Sequence, residues 1–292
     1  MFGLKTIKYF FQAIIIYFFF IIIKIIGLSL SRIFFSFLFN KIGPLIKSEQ
    51  TIDNNLEKFL GSYNKNIKEN IKFKMWSNYG KTFVEYLYLK KFKNENRHIE
   101  IKGEQTLHQI IKKNKPVIFV SGHFANFELM SMELTKKKIN LATIYRPLNN
   151  FFLNPFMEYY RQKYVCRNQI KKGLPGVKDS INYIKNNFSI ALMIDQRVSE
   201  GKRLPFFENM ALTSTLPAQI ALKFNLDIVP VYISRKKNND FQMEIYDPIK
   251  VLNNDNDNES NKLNISIKLN KILEEMISRD PGQWIWTHNR WK

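Results

Sequence analysis

The stretch VIFVSGHFANFELMSMELTKKKINLATIY, residues 117–145, decides the fold. It opens on a short apolar run at 117–121, passes through a helical pattern at 124–138 and closes on a second apolar run at 141–145. Two buried strands joined by a crossover-length helix form a parallel βαβ unit. The same alternation extends in both directions. Toward the C-terminus come helices at 151–164 and 177–186, a strand at 189–195, a helix at 215–224, a strand at 228–234, an antiparallel strand at 241–246 and a helix at 262–278. Toward the N-terminus come a helix at 104–113, a strand at 98–102 and two or three helices within 51–89. The expected fold class is α/β, a mostly parallel sheet covered by helices on both faces. The polar run NNDNDNESN at 253–261 reads as a loop that cannot support a core.

Before this pattern begins, residues 9–30 read YFFQAIIIYFFFIIIKIIGLSL, long enough to cross a hydrocarbon core. The run lacks the small-residue cleavage site of a signal peptide, so it is expected to be a retained transmembrane or membrane-anchoring helix. Lysines lie on both sides of it and leave its orientation open. Lys24 is placed to snorkel to an interface, and the apolar residues 32–39 are expected to form a second, interfacial helix. The chain is therefore expected to divide into an anchor, residues 1–45, and a single folded domain, residues 46–292.

With 45 Lys+Arg against 25 Asp+Glu, the formal net charge of +20 favours anionic partners. A nucleic-acid-binding protein tethered to a membrane would suit that charge. The basic residues are spread along the chain, however, and no recognition helix, RNP-like strand or OB-like strand series accompanies them. No nucleic-acid partner is expected. A single cysteine, Cys166, excludes an internal disulfide framework and any multi-cysteine metal site. His98, His108 and His288 lack paired ligand spacing, so no metal is expected.

Ligands of open α/β sheets bind at the carboxyl ends of the strands, where residues 122–128 read GHFANFE. A helix starting near Phe124 would put His123 at its N-terminal mouth and Glu128 about one turn inside. A carboxylate there could accept the imidazole N–H, fix the tautomer and stabilise the imidazolium. A capping histidine beside a solvated glutamate fits the same spacing. The chain has no Gly-x-Ser-x-Gly elbow, so such a base would activate a substrate hydroxyl directly.

SGHFANFE resembles the His-x-x-x-x-Asp/Glu motif of membrane-bound glycerolipid acyltransferases, and its surroundings resemble the lauroyl/myristoyl acyltransferases of bacterial lipid A biosynthesis. The likeness runs over nearly the whole chain. It takes in the apolar N-terminus; Asn78, Gly80 and Glu85; the triplet Tyr145-Arg146-Pro147 with Asn149; Lys172-Gly173; Asp195-Gln196; Pro205-Phe206-Phe207; Thr213; and the ending PGQWIWTHNRWK. One departure is Ala125, where many relatives carry glycine. The resemblance implies a glycerolipid-acyltransferase-like fold, an acyl-carrier-protein thioester as donor and a phosphorylated glucosamine disaccharide lipid as acceptor. It also implies the bacterial inner membrane, with the catalytic domain facing the cytoplasm where such thioesters are made. Mycobacterial mannoside acyltransferases share the scaffold, so a mannosylated phospholipid is the alternative acceptor. No cofactor is required.

Arg146 follows the strand at 141–145 and is expected at the same sheet edge, to bind an acceptor phosphate or the thioester oxyanion. Asp195 ends its own strand and could hold His123 or Arg146. Asn126, Asn149, Lys172, Gln196 and Arg197 are the expected substrate contacts. The ending that carries Trp284, Trp286 and Trp291 either packs on the sheet or sits among lipid headgroups.

Overall fold

The computed structural model of the chain describes residues 3–61, 65–251 and 258–292. Its first helix, α1 (Leu4–Ile46), is long and apolar enough to cross a membrane, but it is interrupted at Gly27. Gly27 has φ 79° and ψ 170°, a conformation open to a residue without Cβ. There the chain folds back on itself. The rings of Phe19 and Phe35 lie 5.4 Å apart, where an unbroken helix would separate them by about 24 Å. Ser31 also donates to the Ile23 carbonyl at 3.3 Å. The helix expected over 32–39 is thus the middle of a return limb. Lys24 does not snorkel outward: its ammonium donates to the Leu87 carbonyl at 2.8 Å and lies 4.5 Å from the Tyr88 ring.

Three helices follow, α2 (Glu49–Leu60), α3 (Lys65–Tyr86) and α4 (Leu89–Asn94). Ser48 caps α2 by accepting the Thr51 N–H. The return limb of α1 packs on α3 at Gly80, where a Cβ would fall 2.1 Å from the Phe35 carbonyl oxygen.

The α/β region then runs through β1 (Ile99–Lys102), α5 (Glu104–Lys113), β2 (Ile118–Ser121), α6 (Glu128–Lys136) and β3 (Leu141–Tyr145). Helix α7 (Asn154–Tyr160) continues into a π-helical turn, Arg161–Val165, before β4 (Asn168–Lys171), α8 (Leu174–Lys185) and β5 (Ser189–Met193). A hairpin, β6 (Lys202–Phe206) and β7 (Asn209–Thr213), leads to α9 (Leu216–Phe224), β8 (Ile228–Arg235), β9 (Phe241–Ile245) and α10 (Asn258–Arg279). A 3-10 turn, Pro281–Gln283, follows.

The seven-stranded sheet has the order β1-β9-β8-β2-β5-β3-β4. Only β8 and β9 pair antiparallel within it; β8, β2, β5, β3 and β4 all run the same way. Alternate side chains feed two cores, as a sheet covered on both faces requires. Ile118, Val120, Ile190, Leu192 and Ile228 pack into one, and Phe119, Ala191, Val229, Val231 and Ile233 into the other.

Three expectations need correction or limits. The helix after β2 begins at Glu128, not near Phe124. Strand β4 and the β6–β7 hairpin were not expected. Of the polar stretch at 253–261, residues 253–257 lie outside the described residues and residues 258–261 already belong to α10.

Candidate active site

The five co-directional strands end along one edge, and register brings two distant residues together there. Ser121 of β2 pairs with Met193 of β5, so the residues two places beyond each, His123 and Asp195, emerge side by side. The Ile194 N–H donates to the Ser121 carbonyl at 2.9 Å, carrying the ladder one step further. Asp195 accepts twice from His123: from the ring at Nδ1 through Oδ1, and from the backbone N–H through Oδ2, both at 2.8 Å. The Trp284 indole Nε1–H donates to the same Oδ2 at 2.8 Å. The Asp195 carboxylate is fully buried, while the His123 side chain is one-fifth exposed. Burial opposes ionisation of Asp195, but the His123 ring, the His123 N–H and the Trp284 indole outweigh it and hold the carboxyl down at about 2. An ionised Asp195 fixes the proton on Nδ1 and leaves Nε2 as the basic nitrogen of the ring. The ring packs edge-on against Phe127 at 4.6 Å.

The loop behind His123 is tightly specified. Phe124 N–H bonds the Gly122 carbonyl at 2.9 Å, and Ala125 adopts φ 43°, with its N–H donating to the Gln283 carbonyl at 3.0 Å. A left-handed alanine costs about 1–2 kcal/mol, a cost that a glycine at this position would not carry. This left-handed step also delays the helix to Glu128.

That delay corrects the role expected of Glu128. Its Oε1 accepts from Arg161 Nε at 2.8 Å and from Nη2 at 2.6 Å, so Glu128 is paired with the π-helical turn. The carboxylate on the imidazole is Asp195. Although burial works against the charged form, Glu128 and the Tyr86 and Tyr145 phenols push the Arg161 pKa further up. Nor do the N–H groups of His123, Phe124 and Ala125 remain as oxyanion donors, since all three are already bonded within the fold.

Asn126 is buried and not at the rim. Its amide donates to Glu85 Oε2 at 3.1 Å, and its own Oδ1 has no hydrogen-bond partner among the described residues. The fully buried Glu85 carboxylate also binds Arg32 Nε of α1 at 2.8 Å and Arg235 Nη2 at the end of β8 at 3.0 Å. Arg235 reaches on to Asn78 Oδ1 at 3.2 and 3.1 Å. This network ties the N-terminal helix to the loop of His123.

The remaining expected contacts do lie at the strand-end edge. Arg146 follows β3 and Lys172 follows β4, with the Lys172 N–H bonded to the Tyr145 carbonyl at 2.8 Å; both side chains are exposed. Partial burial and the charge of Arg146 lower the Lys172 pKa. Asn149 is exposed in the loop between β3 and α7, and Gln196 and Arg197 are half-buried beside Asp195.

The C-terminal stretch contributes what the sequence did not reveal. Besides Trp284, Gln283 accepts the Arg235 N–H at 2.6 Å. His288 Nε2 accepts the Arg197 N–H at 2.9 Å. Burial, with smaller effects from neighbouring cations and against the pull of Asp195, lowers the His288 pKa to about 4, so this acceptor is neutral. Trp284, Trp286 and Trp291 are buried against the sheet and hairpin. The packed alternative for the ending is the observed one.

Among the described residues, no group of three or more His, Cys, Asp or Glu side chains is placed to hold a metal ion. A concavity lined by Asn54, Phe59, Phe207 and Glu274 lies at the hairpin and includes neither member of the His123–Asp195 pair.

The family model described as bacterial lipid A biosynthesis acyltransferase matches residues 4–292. No curated protein matches the chain.

Proposed function

This chain belongs to the bacterial lipid A biosynthesis acyltransferase family and is an acyltransferase; from that premise we propose that it carries a fatty acyl chain from an acyl-carrier-protein thioester to a hydroxyl of a lipid A precursor. The reaction takes place at the cytoplasmic face of the bacterial inner membrane. The observation that supports this reading is the double hydrogen bond between His123 and Asp195 at the strand-end edge.

His123 Nε2 takes the proton of the acceptor hydroxyl as its oxygen attacks the thioester carbonyl carbon. Asp195 holds the ring and balances the imidazolium. The tetrahedral intermediate then collapses, the C–S bond breaks, and the proton passes from Nε2 to the leaving sulfur, restoring the base. Negative charge on the intermediate is met by Arg146, since the N–H groups of Leu129 and Met130 in the first turn of α6 are already bonded to the Asn126 and Phe127 carbonyls. Lys172 and Arg146 attract the phosphate of the acceptor and the acidic carrier. Asn149, Gln196 and Arg197 line the approach, whereas Asn126 and Glu128 act from beneath it.

The test is incubation of the detergent-solubilised full chain with acyl-carrier-protein thioester and a phosphorylated glucosamine disaccharide lipid, read by mass spectrometry. The expected product is heavier by one ester-linked acyl chain. Thioester turnover with no acylated lipid, or acylation only of a mannosylated lipid, would overturn the assigned acceptor.

A further inference from the structure

Helix α1 is long enough to cross a bilayer, yet it is docked on the rest of the chain along nearly its whole first limb. Asn150 Nδ2 donates to the Tyr9 carbonyl at 2.8 Å and the Tyr17 hydroxyl to the Phe152 carbonyl at 3.0 Å. Farther along, the rings of Phe20 and Phe156 are 5.1 Å apart, the Tyr88 hydroxyl donates to the Ile23 carbonyl at 3.1 Å, and Lys24 binds the Leu87 carbonyl at 2.8 Å. From Tyr9 to Lys24 is about 22 Å of helix, most of a hydrocarbon core of about 30 Å. Were this limb to span, the irregular loop around Asn150 and Phe152 would be carried into lipid, where its backbone polar groups find no partners.

The opposite side of the helix is bare. Phe11, Ile15, Phe18, Ile21 and Ile25 of the first limb are all more than half exposed. The return limb adds Leu30, Ile33 and Phe37. The apolar surface continues to the rim of the active site: the Phe151 ring packs on Tyr9 at 6.0 Å while remaining half exposed, and Leu148 and Leu174 are exposed beside Arg146 and Lys172. Exposed lysines stand at the open ends of both limbs, Lys5 and Lys8 on one, Lys41 and Lys47 on the other.

We propose that this chain sits on one leaflet of an anionic bilayer, with both ends of α1 on the same side of the membrane as the catalytic domain. The two limbs lie in the interface with their bare faces among acyl chains and their lysines among headgroups. An amphiphilic acceptor then reaches Arg146 and Lys172 sideways from that leaflet. The proposal rests on membrane association but not on the identity of donor or acceptor.

The test uses two single substitutions in the full chain, Lys5→Cys at the start of α1 and Lys112→Cys on α5, since the native Cys166 is buried. Sealed membrane vesicles carrying each variant are treated with a membrane-impermeant maleimide. Both positions should behave alike, labelled together or protected together, with rates within about twofold, and detergent should expose any protected pair together. Labelling of one position in intact vesicles, with the other reached only after detergent, would establish a spanning helix and overturn the proposal. Recovery of the chain in the soluble fraction would overturn lipid docking itself while leaving the acyl-transfer reading intact.

Discussion

Asp195 holds His123 by main chain and by ring, each at 2.8 Å, so the imidazole cannot turn without moving the loop that carries it. The pair should therefore fail as a unit. His123→Ala and Asp195→Asn should each lower acyl transfer by roughly 100- to 10,000-fold, and the double variant should lose little more. Initial rates with matched protein amounts check this. Losses that multiply in the double variant would remove Asp195 from the role of positioning carboxylate.

Glu128 acts differently because its partner is Arg161. Removing one member of a buried ion pair strands the other charge, at a cost of about 3–5 kcal/mol. Glu128→Gln and Arg161→Met should each lower the Tm, and combining them should restore much of it. Combined with His123→Ala, Glu128→Gln should show near-additive effects on rate, in contrast to the pair above.

Trp284→Phe keeps a buried aromatic ring, though a smaller one, and removes the indole N–H from Asp195. Loss of such a bond to a charged acceptor corresponds to about 1.5–3 kcal/mol. The expected result is a fall in kcat with KM little changed, since Trp284 acts through Asp195. A variant whose KM rises while kcat holds would place Trp284 in substrate binding instead.

Stability should depend on pH in two steps. The His288 pKa falls from 6.5 to about 4 in the fold, so the folded state binds fewer protons than the unfolded one in that range. Its contribution is fully present above about pH 6.5 and is lost as pH falls toward 4. Asp195, lowered from 3.8 to about 2, adds a second loss as pH falls through that lower window. Thermal midpoints between pH 8 and 3 should be flat at first and then decline, and His288→Gln, which can still accept the Arg197 N–H, should flatten the 6.5-to-4 segment alone.

Lys171 and Lys172 flank the site without touching the dyad, and both are exposed. Replacing both with Ala should raise KM for the anionic acceptor more than it lowers kcat. The defect should shrink with added salt, because exposed charges are screened over roughly 8 Å at physiological ionic strength. A salt-independent defect would mean that the fold had been damaged.

The strands of the central sheet were legible because VIFVS, LATIY and SIALM are short apolar runs between helical patterns. Strand β4, NQIK, was not: it is an edge strand that pairs only with β3, so it needs little apolar character. The β6–β7 hairpin was hidden for another reason. Its turn residues Phe207 and Glu208 take φ 47° and 58°, a conformation usually signalled by Asn-Gly. The position of His123 could be read from its strand, but its partner could not be read from helical spacing. The left-handed Ala125 displaces Glu128 from the imidazole, and β2–β5 register, a non-local property, supplies Asp195. Trp284 lies 89 residues from the carboxylate it orients, with no local pattern to join them.

That separation also sets an order of events in the making of the protein. Leu4 is synthesised first and Trp284 some 280 residues later, an interval of roughly 15 to 60 seconds at bacterial or eukaryotic elongation rates. For most of it the residues of α1 have already been made, whereas Asp195 cannot receive its indole donor, nor Ala125 the Gln283 carbonyl that holds its turn, until the interval closes. On the proposed lipid docking, the nascent chain has time to settle before the His123–Asp195 pair is braced, so that placement would precede competence for chemistry.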